Sequence, residues 1–326
     1  MKLSILTAVV CLITCTLIGC NKNDKSDTIT NTNDAGGGKE STIELDNGSV
    51  YHEDGTLTLG QGVCANGFYD ETNRIVNSGD IIYPTNGKIA GYIGFEQNIP
   101  QKNNYLLILM IDFEQQDFVV NGKNYKNYSF SLEGYDGVDI PIELKLDNNE
   151  AKEFTYLIVS EPEIKELSFE KEGGWAQLNQ TKFTFSGRFL MNDNVYQESL
   201  LQLNQSYNTL DKNINIYCEV TKDLKGFTVL PMSKSRDDVK LAFGTEQDNE
   251  KCVIIAFLDW NQIPIIENQL SFIVELQEDK ITYYDIILPQ VETDSAYQVF
   301  MFKKPFDPAF IENPQPESSF RTIIRK

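Results

Sequence analysis

From about residue 43 to the end, runs of four to eight β-branched, aromatic and aliphatic residues alternate with clusters of Asn, Asp and Gly. That rhythm predicts the short strands of a sandwich or barrel. The clearest runs are KIAGYIG (88–94), YLLILMIDF (105–113), YSFSL (128–132), VDIPIELKL (138–146), FTYLIV (154–159), FTFSGRF (183–189), VIIAFLDW (253–260), LSFIVEL (270–276), ITYYDIIL (281–288) and YQVFMF (297–302). In FTYLIV the alternation puts Phe154, Tyr156 and Ile158 on one face of a strand. In VVNGKNY (119–125) Asn121-Gly122 predicts a hairpin, because these two residues accept the positive φ that a two-residue turn demands. Only VYQESLLQLNQ (195–205) carries a helical period.

The runs repeat. Tyr105-LLILMIDFEQQ aligns with Cys252-VIIAFLDWNQI at an offset of 147, matching Asp112-Phe113 to Asp259-Trp260 and Gln115 to Gln262. Flanking blocks follow in the same order at offsets of 142 to 150: IAGYIG ending at Gly94 with VKLAFG ending at Gly244, YSFSL at 128 with LSFIV at 270, DIPIEL at 139 with DIILP at 285, and FTYLIVSEP ending at Pro162 with YQVFMFKKP ending at Pro305. An ordered series of matched blocks signals an internal duplication. By this match Trp260 stands where Phe113 does, a core position.

The fold class expected is all-β, with two tandem antiparallel β-sandwich domains, at 48–165 and 212–326. Each has about the 100-residue size of an immunoglobulin-like sandwich. Asp294-Ser295-Ala296-Tyr297 resembles the turn entering strand F of immunoglobulin-like domains, which implies that topology. The first copy has Phe154 in place of the tyrosine, and neither copy has the Cys and Trp spacing of antibody-type domains. Residues 166–211 form a connecting segment, longer than an ordinary linker, with room for an extra hairpin and the short helix.

The N-terminus differs from all of this. Met1-Lys2 precedes an apolar stretch, LSILTAVVCLITCTLIG (3–19), and Cys20 is followed at once by NKNDKSD. A basic start, an apolar core and a small residue before the cut make a secretory signal, 1–19. Leu17-Ile18-Gly19-Cys20 resembles the lipobox of bacterial lipoproteins. The resemblance implies cleavage after Gly19, a diacylglyceryl group on the Cys20 thiol, and attachment to a membrane from outside the cytoplasm. Residues 20–47 then comprise the lipidated cysteine and a disordered tether, because its polar, glycine-rich sequence lacks the apolar surface to fold. About 22 such residues reach on the order of 25 Å. The Lys, Asn and Ile content is that of a low-GC Gram-positive chain, anchored in the cell membrane; in a Gram-negative source Asn21 gives no signal for retention in the inner membrane, and the outer membrane is expected.

Charge narrows the partners. The chain carries a formal net charge of −20, and the signal holds one lysine and no acid. Nucleic acid is excluded on that balance, and the expected partners are the membrane, through Cys20, and a protein or an envelope polysaccharide. No cofactor or metal is expected. His52 is the sole histidine and lies near the tether, which leaves no Ser-His-Asp or Cys-His catalyst to build. Beyond the lipobox three cysteines remain, Cys64, Cys218 and Cys252, without the paired spacing of a zinc site. Cys64 lies among glycines, with acids as its nearest charges, which favours an inert thiol. Cys218 and Cys252 either bridge two sheets or stay buried separately. Asp70-Glu71-Thr72-Asn73 and Asp136-Gly137-Val138-Asp139 offer oxygen atoms, but neither is a twelve-residue calcium loop. Trp175, in EGGWAQ, either covers the end of the first sandwich or stacks on a ligand. The reading is a non-enzymatic surface binding protein, with a carbohydrate- or small-ligand-binding module as the alternative and a cell-envelope hydrolase behind both.

Overall fold

In a computed structural model, residues 62–146, 151–165, 181–191, 207–211, 217–224, 229–266, 268–307 and 315–326 are described, together with the backbone of four short strand segments before residue 62. Gly19, Cys20, Trp175 and the 195–205 stretch lie outside the described residues, and His52 is described in backbone only. Every described element is a strand.

The first half contains β1 (Val63–Asp70), β2 (Lys88–Gln97), β3 (Asn103–Ile111), β4 (Tyr128–Leu132), β5 (Gly137–Lys145), β6 (Glu153–Ser160) and β7 (Thr184–Leu190). The second contains β8 (Cys218–Thr221), β9 (Asp238–Phe243), β10 (Glu250–Leu258), β11 (Ser271–Leu276), β12 (Lys280–Ile287), β13 (Ser295–Lys303) and β14 (Thr322–Arg325). In the first half β1-β2-β5 form one sheet and β4-β3-β6-β7 another. In the second, β8-β9-β12 and β11-β10-β13-β14 repeat both orders. All these neighbours run antiparallel. The strand Phe118–Val120 extends the β1-β2-β5 sheet and turns through Asn121 and Gly122, at φ of 49° and 77°, into Lys123–Tyr125, the hairpin that the Asn-Gly pair predicts.

Four sheets stack as four layers. The side chains of β1, β2 and β5 meet one face of the β3-β6 sheet in a core that includes Phe68, Ile93, Phe95, Tyr105, Leu107, Phe154, Tyr156 and Ile140. The β8-β9-β12 sheet meets the β10-β13 sheet likewise, through Val220, Leu241, Phe243, Ile254, Phe272, Val299 and Met301. Between these two sandwiches lies a third apolar layer, made of Leu106, Ile108, Met110, Phe113, Leu157 and Val159 from the first half and Val253, Ile255, Phe257, Trp260, Phe300 and Phe302 from the second. Each member of the first set has its repeat counterpart in the second. The arrangement follows from the sequence: every residue of β6 is buried, and so are all of β13 but the last and the middle six of β3. Alternation is lost because both faces of these strands are covered, and continuous apolar runs are the mark of that condition. Two sandwiches following one another from the tether do not by themselves contain this back-to-back packing.

The repeat register differs from the letter match in two blocks. Tyr128 lies opposite Leu107 and Phe272 opposite Ile254, so Tyr128 corresponds to Phe272, two residues from the sequence pairing. Glu143 lies opposite Ala90 and Asp285 opposite Lys240, so Glu143, not Asp139, corresponds to Asp285. Slips of two and four leave every side chain on its own face, since strand periodicity is two.

Tyr284 marks where the copies diverge inside. Its ring packs edge-on to Phe272 at 5.0 Å, but its buried hydroxyl has no hydrogen-bond partner among the described residues. Ile142 occupies the corresponding position in the first half, on the same core-facing side of β5. A buried unpaired hydroxyl costs about 1–3 kcal/mol of desolvation. Tyr284→Phe is therefore expected to leave stability unchanged or raise it by about 1 kcal/mol in urea unfolding; a loss of that size would mean the hydroxyl has a partner.

Candidate functional site

Two surfaces face outward from the stack, one on each outer sheet. On the first, β1 and β2 pair Tyr69 with Tyr92, β2 and β5 pair Tyr92 with Pro141, and the short strand Ile75–Val76 pairs Ile75 with Tyr69. These pairs place Ile75, Tyr69, Tyr92 and Pro141 in one straight row across the sheet. The inward residues Phe68, Ile93 and Ile140 are in the core, so the row points away from it. Ile75 and Tyr92 are each 37% exposed.

The adjoining rung is Gly67, Gly94 and Asp139. The absence of a side chain at Gly94 lets the Tyr69 ring lean over it: a Cβ there would stand 2.8 Å from Tyr69 Cε2 and 3.1 Å from Asp139 Oδ1. Ring and carboxylate thus meet above Gly94. One rung further lies Glu96, between Ala65 and Gly137. Partial burial raises the Tyr69 phenol, and the charges of Asp139 and Glu96 push it the same way. At the opposite end Lys88 pairs with Glu143 at 2.8 Å, so the charges there are already matched. The face is aromatic along its middle and acidic at one side.

The middle of the corresponding surface of the second half is covered, while Ile287 at its end is 67% exposed. Ala242 stands where Tyr92 does, with no exposed surface, and packs with Leu224 and Ile281 and against Leu210 and Tyr283. Glu219, paired with Ala242, stands where Tyr69 does; it is buried and engaged by Lys182 and by the Phe320 N–H. Further along, a shallow groove of about 320 Å³ runs past Lys222, Asp238, Lys240, Asp285 and Ile287. Its lysines are spent on ion pairs, Lys222 with Asp237 and Lys240 with Asp285.

The residues singled out from sequence are dispersed. Cys64, Cys218 and Cys252 are buried thiols on three different strands, and Cys218 and Cys252 do not bridge. Burial drives the Cys218 and Cys252 thiols well up, and the nearby Glu219 and Glu250 charges add to it. A thiolate is the reacting species. All three are therefore expected to stay unlabelled by an aromatic disulfide reagent in the native protein and to label together on unfolding; rapid native labelling of any one would contradict this. Asp70 spends its oxygens on its own turn: Oδ1 accepts from Thr72 N at 2.9 Å, Thr72 Oγ1 at 2.6 Å and Arg74 N at 3.1 Å, while Oδ2 meets Arg74 Nε at 3.1 Å. The Thr72 hydroxyl bond leads in holding this carboxyl down to about 2. Asp136 accepts from the Gly137 N–H, and Asp139 belongs to the aromatic face. Among the described residues no three His, Cys, Asp or Glu side chains gather as metal ligands. Tyr297 is buried within β13 opposite Thr322.

Tyr69 and Tyr92 escape a search made by motif. Their signal is positional: in KIAGYIGFEQ the alternation that sends Ile89, Ile93 and Phe95 inward sends Tyr92 outward, on the same side as Gly94.

No protein-family model matches the chain, and no curated protein sequence does. Among solved structures, the C-terminal domain of the Streptococcus pyogenes antigen I/II-family protein AspA overlaps 81% of this chain and 99% of its own at 7% identity and a TM-score of 0.22. The C-terminal domain of the Streptococcus agalactiae antigen I/II polypeptide BspA overlaps 80% and 99% at 8% identity and 0.22. Red sea bream transglutaminase overlaps 87% of this chain and 40% of its own at 6% identity and 0.21. Overlaps this shallow, with surface domains and an enzyme alike, carry no argument about ligand, partner or activity, and the strands and faces of this chain stand as the basis for what it does.

Proposed function

We propose that this chain is a lipid-anchored extracytoplasmic binding protein without catalytic activity, whose contact surface is the open face of β1, β2 and β5. The observation that carries the binding role is the difference between equivalent surfaces. The duplicated scaffold covers the middle of one outer face with Leu224 and Ile281 over Ala242, whereas at the equivalent place on the other it leaves Ile75 and Tyr92 each 37% exposed. Exposed apolar side chains in a row have a binding use more often than scattered ones.

The anchor is the Cys20 lipid, after cleavage at Gly19, and residues 20–47 give the reach. The two immunoglobulin-like sandwiches, with β7 from the 166–211 segment completing the inner sheet of the first, present the face at the end of that reach. In a Gram-positive source the lipid sits in the outer leaflet of the cell membrane, and in a Gram-negative one in the outer membrane. Cys20→Ala is expected to move the chain from the membrane fraction to the soluble one and to abolish labelling by a clickable fatty acid; retention of both would overturn the anchor. For the face, capture of envelope material by the intact protein is expected to fall on Tyr92→Ser with thermal stability unchanged. Equal capture by the variant would overturn the placement of the contact surface.

A further inference from the structure

We infer that the open face binds a neutral, hydroxyl-rich polysaccharide, with sugar rings lying on Tyr69 and Tyr92 and sugar hydroxyls donating to the Asp139 and Glu96 carboxylates; this rests on the reading of that face as the contact surface.

Shape comes first. A small-molecule site is a concavity that encloses most of its ligand, whereas this row crosses paired strands beside Gly67 and Gly94, and a Cβ on Gly94 would collide with Tyr69. An extended chain can lie along such a row with one side still in water. A protein partner needs about 800 Å² on each side, drawn from roughly 20–30 residues, with charge depleted at its centre. Here four side chains make the row, and two carboxylates border it within a rung or two.

Chemistry narrows the ligand further. An aromatic face offers a hydrophobic, weakly negative surface, which suits the C–H faces of a pyranose ring. Asp139 and Glu96 accept and do not donate while ionised, and hydroxyl donors give them short, charge-assisted bonds. Neither carboxylate makes an ion pair among the described residues, whereas Glu143 and Asp70 at the other end are paired with Lys88 and Arg74. Polyanions are repelled twice, by this acidic border and by a chain of formal net charge −20. That excludes nucleic acids, anionic lipid surfaces and phosphate-rich wall polymers as occupants of this face.

The test is native affinity electrophoresis of the full mature chain carrying Cys20→Ser, in gels containing mixed-linkage β-glucan, xylan, galactomannan or glycol chitin, with hyaluronan as the polyanion. Retardation by at least one neutral polymer and none by hyaluronan is expected. Tyr92→Ala is expected to weaken it by about tenfold or more, as loss of a stacking ring implies, and Asp139→Asn to weaken it measurably. Both positions are on the surface, and matching thermal midpoints confirm folding; should Tyr92→Ala not fold, Asp139→Asn gives the reading. No retardation by any neutral polymer, equal retardation of wild type and both variants, or equal retardation by hyaluronan would overturn the inference. If envelope capture still depends on Tyr92 while no neutral polymer binds, the contact face stands and the ligand class falls.

Discussion

Glu153→Ala is expected to cost about 3–5 kcal/mol of stability, because it strands a buried guanidinium. Arg188 and Glu153 are both fully buried, with Nε to Oε1 at 2.6 Å and a second contact at 3.2 Å. The pair also links the two halves. Glu153 Oε2 accepts the Phe306 N–H at 2.9 Å, and Arg188 donates to the Lys303 carbonyl at 2.8 Å while lying over the Phe113 and Phe302 rings. The second half repeats the cation without the acid. Arg321, on the rung after Thr322 and Tyr297, reaches back to the Glu161 carbonyl at 2.6 Å and the Ser160 carbonyl at 3.2 Å, the counterparts of Lys304 and Lys303. Ala296 stands where Glu153 does, and Gln298, where Thr155 does, approaches Arg321 at 3.5 Å. Burial accordingly brings the Arg321 guanidinium down to about 9, partly opposed by the Glu163 and Glu161 charges. It remains a cation at neutral pH. Glu153→Ala with Thr155→Gln copies this arrangement and should recover part of the loss. Urea unfolding with a constant slope would measure both, and a loss under 1 kcal/mol in the single variant would remove Glu153 from this role.

Strand positions were legible because β-branched runs and Asn, Asp and Gly turns report local geometry. The duplication was legible where residues do something peculiar to their place. Asp112-Phe113 and Asp259-Trp260 form equivalent two-residue turns, all four at positive φ between 46° and 66°. Such angles are costly for bulky residues, and they persist where packing over-determines them. Asp112 Oδ1 ties the first turn to Glu153 N at 2.8 Å, and Asp259 Oδ1 ties the second to Ala296 N at 3.0 Å. Matching by letters failed in β4 and β5, where only burial periodicity is shared and an even slip preserves it. The four-layer stack was present in the unbroken apolar runs of β3, β6, β10 and β13, which an ordinary two-layer sandwich does not require. The aromatic face could not be found by motif, because its row is assembled from strands far apart in the chain, and pairing alone brings Tyr69, Tyr92 and Pro141 together.

The repeat also fixes how the stack is held. Gln115 and Gln262 exchange reciprocal bonds across the junction: Gln115 N to Gln262 Oε1 at 2.6 Å and Gln262 N to Gln115 Oε1 at 2.8 Å. Gln115 Nε2 then donates to the Trp260 carbonyl at 3.0 Å, and Gln262 Nε2 to the Phe113 carbonyl at 2.9 Å. Each half presents the same patch to the other, the relation found across a two-fold axis. Trp260 adds what Phe113 cannot. Its indole Nε1 donates to the Pro162 carbonyl at 2.9 Å, and its ring lies 4.8 Å from the Arg321 guanidinium. Trp260→Ala is expected to cost about 3–5 kcal/mol through the cavity left in the middle layer, and the cation over the ring loses its partner as well. Trp260→Phe restores the residue the first half uses at this turn, keeps a ring against Arg321, and gives up one hydrogen bond worth about 1 kcal/mol. A small loss for Phe and a large one for Ala, both in a single cooperative unfolding transition, is the result expected if the four layers fold as one body. Two separated transitions, with only the second half affected by Trp260→Ala, would show that the middle layer joins two independent sandwiches rather than stabilising both.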